Sequence, residues 1–283
     1  MSTAMHVDAH HHFWRLTDRK GEWPPASLAA LHRDFAPIDL LPALQRCGIG
    51  GTVLVQSLPT PQDTAFLLDL AAGHTFVRGV VGWVDMKASD AAAQITALAR
   101  HRLLKGLRPM LQDLPDDDWI DDAALDPAVH AMLAHALCFD ALVRPRQLRA
   151  LLTFAQRHPQ LPIVIDHAAK PELARATWRQ PWQRDIAALA ALPNVCCKLS
   201  GLLTEAGDAP TEATLRPAVD HLFETFGADR LMWGSDWPVL NLAGEYADWL
   251  AMAQRLCSAR PGFDAAAMRA VFGGNACRFY KLN

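Results

Sequence analysis

A cluster of imidazoles stands near the start of the chain, where residues 5–12 read MHVDAHHH. The stretch begins apolar, as a short strand does, and successive residues of a strand point to opposite faces. We therefore predict that Asp8, His10 and His12 share one face. Such a group can converge on a metal ion or on a substrate oxygen, but two imidazoles supply only half of a tetrahedral zinc site. The remaining groups must come from later in the chain.

The composition is that of a globular protein with a large apolar core. Of the 283 residues, 51% are apolar and 20% are charged, which suits one large α/β domain or two small ones. The net charge is −3 and no basic cluster occurs, so the charge pattern of a nucleic-acid-binding protein is absent. No apolar run approaches ~20 residues, so no membrane-spanning helix is expected.

The cysteines indicate a reducing compartment. None of the six belongs to a C-x-x-C pair, and three lie in apolar runs typical of strands. This is expected of buried free thiols rather than of a disulfide framework. The first residues contain neither a basic start nor an apolar signal core, so we predict a cytoplasmic protein.

Strand-like and helix-like segments alternate along the whole chain. After the first strand, apolar runs predict strands at 51–56, 76–85, 103–109, 138–142, 162–167, 195–200 and 231–236. Helical spacing of apolar residues predicts helices at 38–47, 61–74, 88–101, 127–136, 146–158, 182–192, 215–226, 244–259 and 264–272. Strands that alternate with helices form parallel βαβ units, and near-continuous apolar strands are covered on both faces.

Eight such units at this chain length predict a single-domain (β/α)8 TIM barrel. A doubly wound open sheet is the rival, but no Gly-rich phosphate-binding turn follows the first strand. No linker or change of composition divides residues 1–283, so one domain is predicted. Residues 15–37 are polar and interrupted by prolines, and a long irregular loop of this kind is often a lid over an active site.

Titratable residues collect at the ends of the predicted strands, which is where a TIM barrel carries its active site. In chain order these ends carry His10 and His12, Gln56, Trp83 and Asp85, Arg108, Asp140, Asp166 and His167, Lys198 and Ser200, and Asp236. A barrel built only for stability has no need of so many polar groups at one rim. The pattern therefore predicts an active site there.

Some of these residues also have a structural explanation. Asp166 is better explained as a cap of the following turn, and for Arg108 a loop-anchoring role is as good an explanation as ligand binding. Lys198 lies in the apolar run 195–199, and a buried ammonium group is costly unless it meets an anion or a polar ligand. We therefore predict that Lys198 faces the site.

Several motifs, taken in order, resemble the amidohydrolase superfamily. The sequence carries Asp8-x-His10-x-His12, His167 after the sixth strand, and GSDWP at 234–238 on the eighth. Together with HHHFW at 10–14, GLRP at 106–109 and KLSG at 198–201, they are similar to the amidohydrolase 2 branch. Within that branch the chain most resembles hydrolases of sugar lactones such as L-fuconolactone or L-rhamnonolactone. The resemblance spans nearly the whole chain.

The chain departs from the metal-rich members of that superfamily, which carry a metal-bridging lysine on strand four and a histidine on strand five. Here strand four ends in Arg108 and strand five reads CFDAL, so a two-metal centre is not expected. The resemblance leaves two alternatives. Either one Zn2+ or another divalent ion is held by His10, His12 and Asp236, with or without His167, or the reaction needs no metal.

The resemblance implies hydrolysis of a sugar lactone to the aldonic acid. Asp236 would activate water as a base and then protonate the leaving alkoxide. His167, with Lys198 or a metal ion, would stabilise the oxyanion. The hydroxylated ring would be bound by Arg108, Gln56 and the aromatic residues Trp14, Trp83 and Trp237.

Two other functions compete with this interpretation. A metal-dependent decarboxylase of the same superfamily would want a fuller metal site, and the missing strand-five histidine counts against it. A non-catalytic sugar-acid-binding protein is expected to have a degraded rim, yet His10, His12, His167 and Asp236 are all present. The sequence leaves the sugar, the ring size of the lactone and the oligomeric state open.

Overall fold

The structure, a computed structural model, describes residues 5–175, 177–208 and 210–282. Eight parallel strands form one sheet in which each strand pairs with the next along the chain. They are β1 (His6–His11), β2 (Ile49–Val55), β3 (Val77–Gly82), β4 (Leu104–Leu107), β5 (Cys138–Ala141), β6 (Ile163–Ile165), β7 (Val195–Leu199) and β8 (Leu231–Trp233). Hydrogen bonds from His12 N to Trp237 O (2.7 Å) and from Asp236 N to His10 O (2.8 Å) join the two edges. The predicted (β/α)8 barrel is confirmed.

Helices connect the strands and surround the barrel. They are α1 (Pro37–Cys47), α2 (Pro61–Ala72), α3 (Ala91–Leu98), α4 (Asp126–Ala134), α5 (Leu148–Arg157), α6 (Arg179–Ala190), α7 (Glu212–Phe226), α8 (Tyr246–Ser258), α9 (Ala265–Arg269) and α10 (Asn275–Phe279). The first eight match the predicted helices with ends shifted by a few residues. Across the described ranges, no helix combines the length and the apolar character needed to cross a membrane.

The predicted last helix, 264–272, is wrong at its C-terminal end. Helix α9 stops at Arg269, a π-helical turn spans Ala270–Gly274, and α10 follows. In that turn Gly273 approaches the start of β1 so closely that a Cβ atom there would lie 2.1 Å from Met5 O. Glycine is required because its backbone can approach where no side chain fits. This contact joins the two ends of the chain, so no local helical pattern reveals it.

The barrel interior is a packed apolar core. Its lining includes Val7, Ala9, Val53, Val55, Val81, Val164 and Met232. Ala276, Tyr280 and Leu282 pack into the same cluster, so α10 and the residues after it close the amino end of the barrel. The rim at the carboxyl ends of the strands is open to a ligand.

The prediction that Asp8 shares a face with His10 and His12 is wrong, because β1 contains a bulge. Between Asp8 and His11 the chain advances three residues while its neighbour β2 advances two. An extra residue of this kind shifts the alternation of the residues that follow it. His10 and His12 consequently point into the mouth of the barrel, and Asp8 and His11 point towards the surrounding helices.

Asp8 holds the closing edge of the barrel together from behind. One carboxylate oxygen accepts hydrogen bonds from Ser235 N (2.8 Å) and His10 N (3.1 Å), and the other accepts one from the Tyr246 hydroxyl (2.9 Å). Burial raises the pKa of this carboxyl to about 6, although the donors oppose the shift. Asp8 therefore fixes the backbone at His10 and at Ser235, the two segments that meet where the barrel closes, although its own side chain does not face the cavity.

The long loop after β1 is tied down at several points. Its Arg19 side chain is 2% exposed and donates to Trp23 O (3.0 Å) and Ser57 Oγ (2.7 Å), beside Asp63 at 3.3 Å. Leu31 and Phe35 are buried in the core. The loop is therefore anchored at its base, and a lid movement of 15–37 stays a prediction.

Candidate active site

A cavity of 810 Å³ opens at the carboxyl ends of the strands. His12, His167 and Asp236 line it although each is at most 4% exposed. These residues follow β1, β6 and β8, which come from distant parts of the sequence. The strand ends of the barrel therefore bring predicted site residues to one place.

Three imidazoles and one carboxylate meet at this point. Asp236 Oδ1 lies 3.3 Å from His12 Nε2, and 3.7 Å from the Nε2 atoms of both His10 and His167. The Nε2 atoms of His10 and His12 are 3.2 Å apart. All four side chains that the sequence predicted to converge are thus brought together.

The other ring nitrogen of each histidine is held by a fixed partner. His12 Nδ1 donates to Val55 O at 2.7 Å, and His167 Nδ1 lies 2.8 Å from Ser200 Oγ. His10 Nδ1 lies 3.4 Å from Asp166 Oδ1. Because a carbonyl oxygen can only accept, the proton of neutral His12 sits on Nδ1 and its Nε2 offers a lone pair to the centre.

Burial sets the charge state of the group. It lowers the pKa of His10 and of His12, and it lowers the pKa of His167 to about 4. Burial opposes ionisation of Asp236, but the neighbouring imidazoles, led by His167, hold the pKa of its carboxyl well below the ordinary value. At neutral pH the centre therefore consists of neutral imidazoles around an anionic carboxylate.

A left-handed turn positions His167. Residues 167–170 have φ values of 53°, 51°, 59° and 50°, and none of them is glycine. Such a conformation costs roughly 1–2 kcal/mol per residue, so the surroundings must impose it. Trp182 Nε1 donates to Ala168 O at 2.8 Å, and a Cβ at Gly201 would lie 2.7 Å from the His167 ring. Backbone strain of this kind concentrates at functional sites.

A second layer of charged groups lies beneath the first. Lys198 Nζ is 2.6 Å from Asp140 Oδ2, 2.9 Å from Asp166 Oδ1 and 3.2 Å from His10 Nδ1. From the closed end of the barrel, the Tyr280 hydroxyl donates to the same Asp140 oxygen at 2.6 Å. Lys198, Asp140 and Asp166 are all completely buried. The network thus links the C-terminal segment to His10.

The charges of this layer stabilise one another. Burial disfavours the Lys198 ammonium, but Asp140 and Asp166 more than offset it and raise the pKa of Lys198. Burial raises the pKa of Asp140 to about 6 even though Lys198 opposes the shift. Removing one member would leave its partner charged and unpaired in the barrel interior.

Arg108 joins the two layers. Its Nη1 lies 3.4 Å from both Asp166 Oδ2 and His10 Nε2, and the side chain lines the cavity. Gln56 braces it, since Gln56 Nε2 donates to Arg108 O at 2.7 Å and Gln56 O accepts from Arg108 Nη2. Arg108 therefore has both the anchoring role and the access to ligand that the sequence left as alternatives.

The predicted binding residues divide into two groups. Arg108 and Trp83 line the cavity, whereas Lys198, Gln56, Trp14 and Trp237 are not among its lining residues. Trp14 is fully buried and donates to Arg33 O at 2.8 Å. The Trp237 ring packs edge-on against Phe13 and Phe35. Aromatic residues next to a strand end thus fill the core as well as the site.

Sequence reasoning missed several groups of the site. Asp166 holds His10 and does not simply cap a turn, Asp140 was placed at the rim without a role, and Tyr280 was not selected at all. The available signal for Asp140 was a carboxylate inside the apolar run 138–142. Trp23, Trp119, Arg144 and Lys170 also line the cavity, and their loop positions offered no periodic pattern to identify them.

The residues present fit a single metal ion. In a tetrahedral zinc site the ligand atoms lie roughly 3.4 Å apart, and those of His10, His12 and Asp236 are separated by 3.2, 3.3 and 3.7 Å. Metal-binding histidines usually hold their other nitrogen against a carboxylate or a carbonyl, as His10 and His12 do. A second candidate group, of His10, Asp166 and His167, shares His10 with the first. The donors therefore suit one ion and not two.

Known proteins are similar to the chain over its whole length. An L-fucono-1,5-lactonase of Burkholderia ambifaria is 56% identical and aligns over 98% of this chain and 96% of its own. An L-fucono-1,5-lactonase of Burkholderia multivorans is 37% identical over 99% and 97%. A crystal structure of a B. multivorans amidohydrolase with bound zinc superposes with a TM-score of 0.93, at 37% identity, over 99% of this chain and 100% of that one.

The family assignment rests on these matches and on a sequence profile. The profile of the amidohydrolase family matches residues 7–282, from the start of β1 to beyond α10. It therefore covers all eight strands and every residue of the site. The chain belongs to the amidohydrolase family.

Proposed function

We propose that the protein is a lactonase that hydrolyses L-fucono-1,5-lactone or a closely related aldonolactone to the aldonic acid. The relatives at 56% and 37% identity bear that activity in their names. The observation that carries the proposal is the meeting of an ionised carboxylate with three neutral imidazoles at the wall of a cavity. Such a group supplies the base that ester hydrolysis needs, and Arg108 beside it supplies a donor for the oxyanion.

Asp236 acts as the base in this proposal. Its carboxylate stays ionised at neutral pH and reaches the cavity, so it takes a proton from the attacking water. The same proton then passes to the ring oxygen as the C–O bond breaks, since one residue serves as base and then as acid. His167, held in place by Ser200, orients the water and the carbonyl group beside Asp236.

The negative charge that develops on the carbonyl oxygen requires a donor. Arg108 Nη1 lies 3.4 Å from His10 Nε2 at the edge of the cavity, so its guanidinium faces the position where this oxygen would lie. Positioned donors of this kind typically contribute 10²–10³-fold to the rate. Lys198 does not line the cavity, so we assign it to support His10 and not to contact the oxyanion.

We propose that His10, His12 and Asp236 can hold one Zn2+ or similar divalent ion. When bound, such an ion supplies Lewis-acid polarisation of the lactone carbonyl. The hydrogen bond from His12 Nδ1 to Val55 O keeps the Nε2 lone pair of His12 directed at this position, and Asp166 and Lys198 hold the ring of His10 from its Nδ1 side. A related structure holds zinc, which supports the choice of ion for this chain.

The cavity has the chemistry of a carbohydrate site. Trp23, Trp83 and Trp119 line it, and amphipathic aromatic rings suit a sugar ring that is apolar on its face and polar at its edge. Polar groups that hydrogen-bond substrate hydroxyls penalise analogues lacking them. We therefore expect selectivity for polyhydroxylated lactones over bare rings.

We also assign the protein to the cytoplasm. All six cysteines are free thiols, and burial raises the pKa of Cys138 and of Cys197 well above the ordinary value. Free thiols persist in reducing compartments.

A pH-indicator assay of lactone hydrolysis tests the proposal. Purified protein is given L-fucono-1,5-lactone, L-galactono-lactone, γ-butyrolactone and an acyl-homoserine lactone, each with and without a chelator. We expect clear turnover of the sugar lactones, much poorer turnover of the bare rings, and at most one equivalent of metal by elemental analysis. Equal turnover of the bare rings would overturn the sugar assignment, and two tightly held equivalents would overturn the single-ion site.

A further inference from the structure

Two cationic side chains in the cavity wall have no close partner. Arg144 follows β5 and Lys170 ends the left-handed turn after β6, and both line the cavity beside His167. Within the described ranges, neither the guanidinium nor the ammonium group forms a hydrogen bond or a close ion pair. Half-buried cations without partners inside a cavity indicate that a ligand supplies the missing contacts.

The two cations act on the same small region. Lys170 ends the short turn that contains His167, and both side chains line the cavity. Burial raises the pKa of Glu205, and the charges of Lys170 and Arg144 are the leading influences that oppose this rise. Both cations therefore lie near one point at the edge of the catalytic group, yet Glu205 does not pair closely with either.

The cavity wall carries charges of both signs. Its carboxylates are Asp236 and, in the loops that follow β1, β3 and β4, Glu22, Asp85 and Asp113. In a closed barrel with strands in sequential order the end of β1 lies opposite that of β5, whereas β4 is the neighbour of β5. An anion in the cavity is therefore attracted to Arg144 and Lys170 and repelled by these carboxylates.

Hydrolysis of a lactone changes the charge of the ligand. The neutral lactone and one water become an aldonate and one proton: the water oxygen joins the carbonyl carbon, the ring oxygen leaves as a hydroxyl, and the new acid ionises. The carboxylate forms beside Asp236, where like charges repel. A nearby pair of free cations offers it a more favourable position.

We propose that Arg144 and Lys170 form a carboxylate subsite that binds the aldonate product. The proposal rests on the lactonase function proposed above. It assigns these two cations to product recognition, so the enzyme distinguishes the acid that it makes from the neutral ring that it receives. The chemical class bound there is an open-chain hydroxy acid with a free carboxylate.

The test compares binding of a charged ligand with that of its neutral analogue. Calorimetry measures the affinity of the intact protein for L-fuconate and for L-fucitol, which carries CH2OH where L-fuconate has the carboxylate. We expect Arg144→Gln and Lys170→Gln each to weaken L-fuconate binding about tenfold, because a hydrogen bond to a charged group is worth about 1.5–3 kcal/mol. Binding of L-fucitol should change by less than about twofold. For the lactone, kcat/KM should fall by no more than about twofold, which is at least about fivefold less than the loss of L-fuconate affinity.

Two further variants keep the test independent of folding defects. Glu205→Gln removes the nearby negative charge and should tighten L-fuconate binding, the opposite sign to the other two. Arg149→Gln removes an α5 cation whose side chain is 73% exposed and should change neither affinity. The proposal is overturned if L-fuconate does not bind, or if the affinities for L-fuconate and L-fucitol fall together. These outcomes need no turnover, so absence of lactone hydrolysis would count against the proposed function alone.

Discussion

The charged residues of the barrel form two layers that differ in what they touch. The mouth layer consists of His12, His167 and Asp236, which reach the cavity. The buried layer consists of Lys198, Asp140, Asp166 and Tyr280, each no more than 1% exposed. His10 lies between them, with Nε2 in the mouth layer and Nδ1 against the buried layer.

The difference lies in the partners of the polar atoms. In the buried layer the charges face other charges or hydroxyls of the protein, with Lys198 between two carboxylates. At the mouth the Nε2 atoms of His10, His12 and His167 lie 3.3–3.7 Å from Asp236 Oδ1. The buried charges are paired with opposite charges of the protein, whereas the mouth layer opens on the cavity. We infer that the mouth layer carries the chemistry and the buried layer holds it in place.

The largest expected effect on turnover is that of Asp236→Asn. The amide cannot act as the base, and loss of general-base catalysis typically costs 10²–10⁴-fold, so kcat should fall at least about 100-fold. The melting temperature should change little, because Asp236 faces the cavity. Near-normal kcat with a normal melting curve would remove Asp236 from the role of base.

The variant Lys198→Met tests the buried layer. It leaves Asp140 and Asp166 without their cation, and breaking a buried pair costs about 3–5 kcal/mol of unfolding free energy, measurable by urea titration. Turnover should fall about tenfold and equally for every lactone, since Lys198 touches no ligand. The double variant Lys198→Met with Asp140→Asn should regain part of the stability. A substrate-dependent loss without loss of stability would move Lys198 into the mouth layer.

A smaller effect is expected from Tyr280→Phe. It removes only the hydrogen bond to Asp140, which is worth about 1.5–3 kcal/mol when the acceptor is charged. The unfolding free energy should fall by that amount, and kcat by a few-fold at unchanged KM, because the effect must pass through Lys198 and His10. The matched control Tyr246→Phe removes the hydroxyl donor of Asp8. A rise in KM alone for Tyr280→Phe would contradict the positioning role.

The smallest effect on turnover is expected from His11→Gln. This is the histidine of the run that faces the helices, where its Nε2 lies 2.9 Å from Thr52 Oγ1 and its ring packs on Phe13. Stability should fall by about 1–2 kcal/mol, while kcat stays within about twofold. The parallel variants His10→Gln and His12→Gln should lose far more activity. Equal losses for all three would mean that the bulge does not separate their faces.

The general architecture and the centre of the site could be predicted from the sequence. The barrel follows from eight alternations of apolar strands with helices, a pattern that is local and repeated. His10, His12, His167 and Asp236 could be placed together because they end strands of one predicted barrel. Both inferences use only the order of elements and the rule for where barrels bind ligands.

The remaining parts depend on contacts between distant segments. The direction of Asp8 follows from the register between β1 and β2, and Gly273 follows from its contact with Met5. The sequence predicted that the ammonium group of Lys198 needs an anion, and the structure shows two, Asp140 and Asp166. The sequence did not reveal that both anions come from the protein, because that depends on how β5 and β6 pack beside β7. Trp14 and Trp237 show that an aromatic residue beside a strand end does not reveal which way it points.

The extra residue in β1 has a consequence for protein engineering. It divides the strand into two segments whose side-chain directions are set separately. Residues 7–9 can therefore be redesigned for packing while the side chains of His10 and His12 still point into the mouth of the barrel. A transplant of the His-x-His pair onto a regular strand of another barrel, with the inner positions before it unchanged, would turn both imidazoles towards the helices. A graft of this site must therefore carry the bulge as part of the motif.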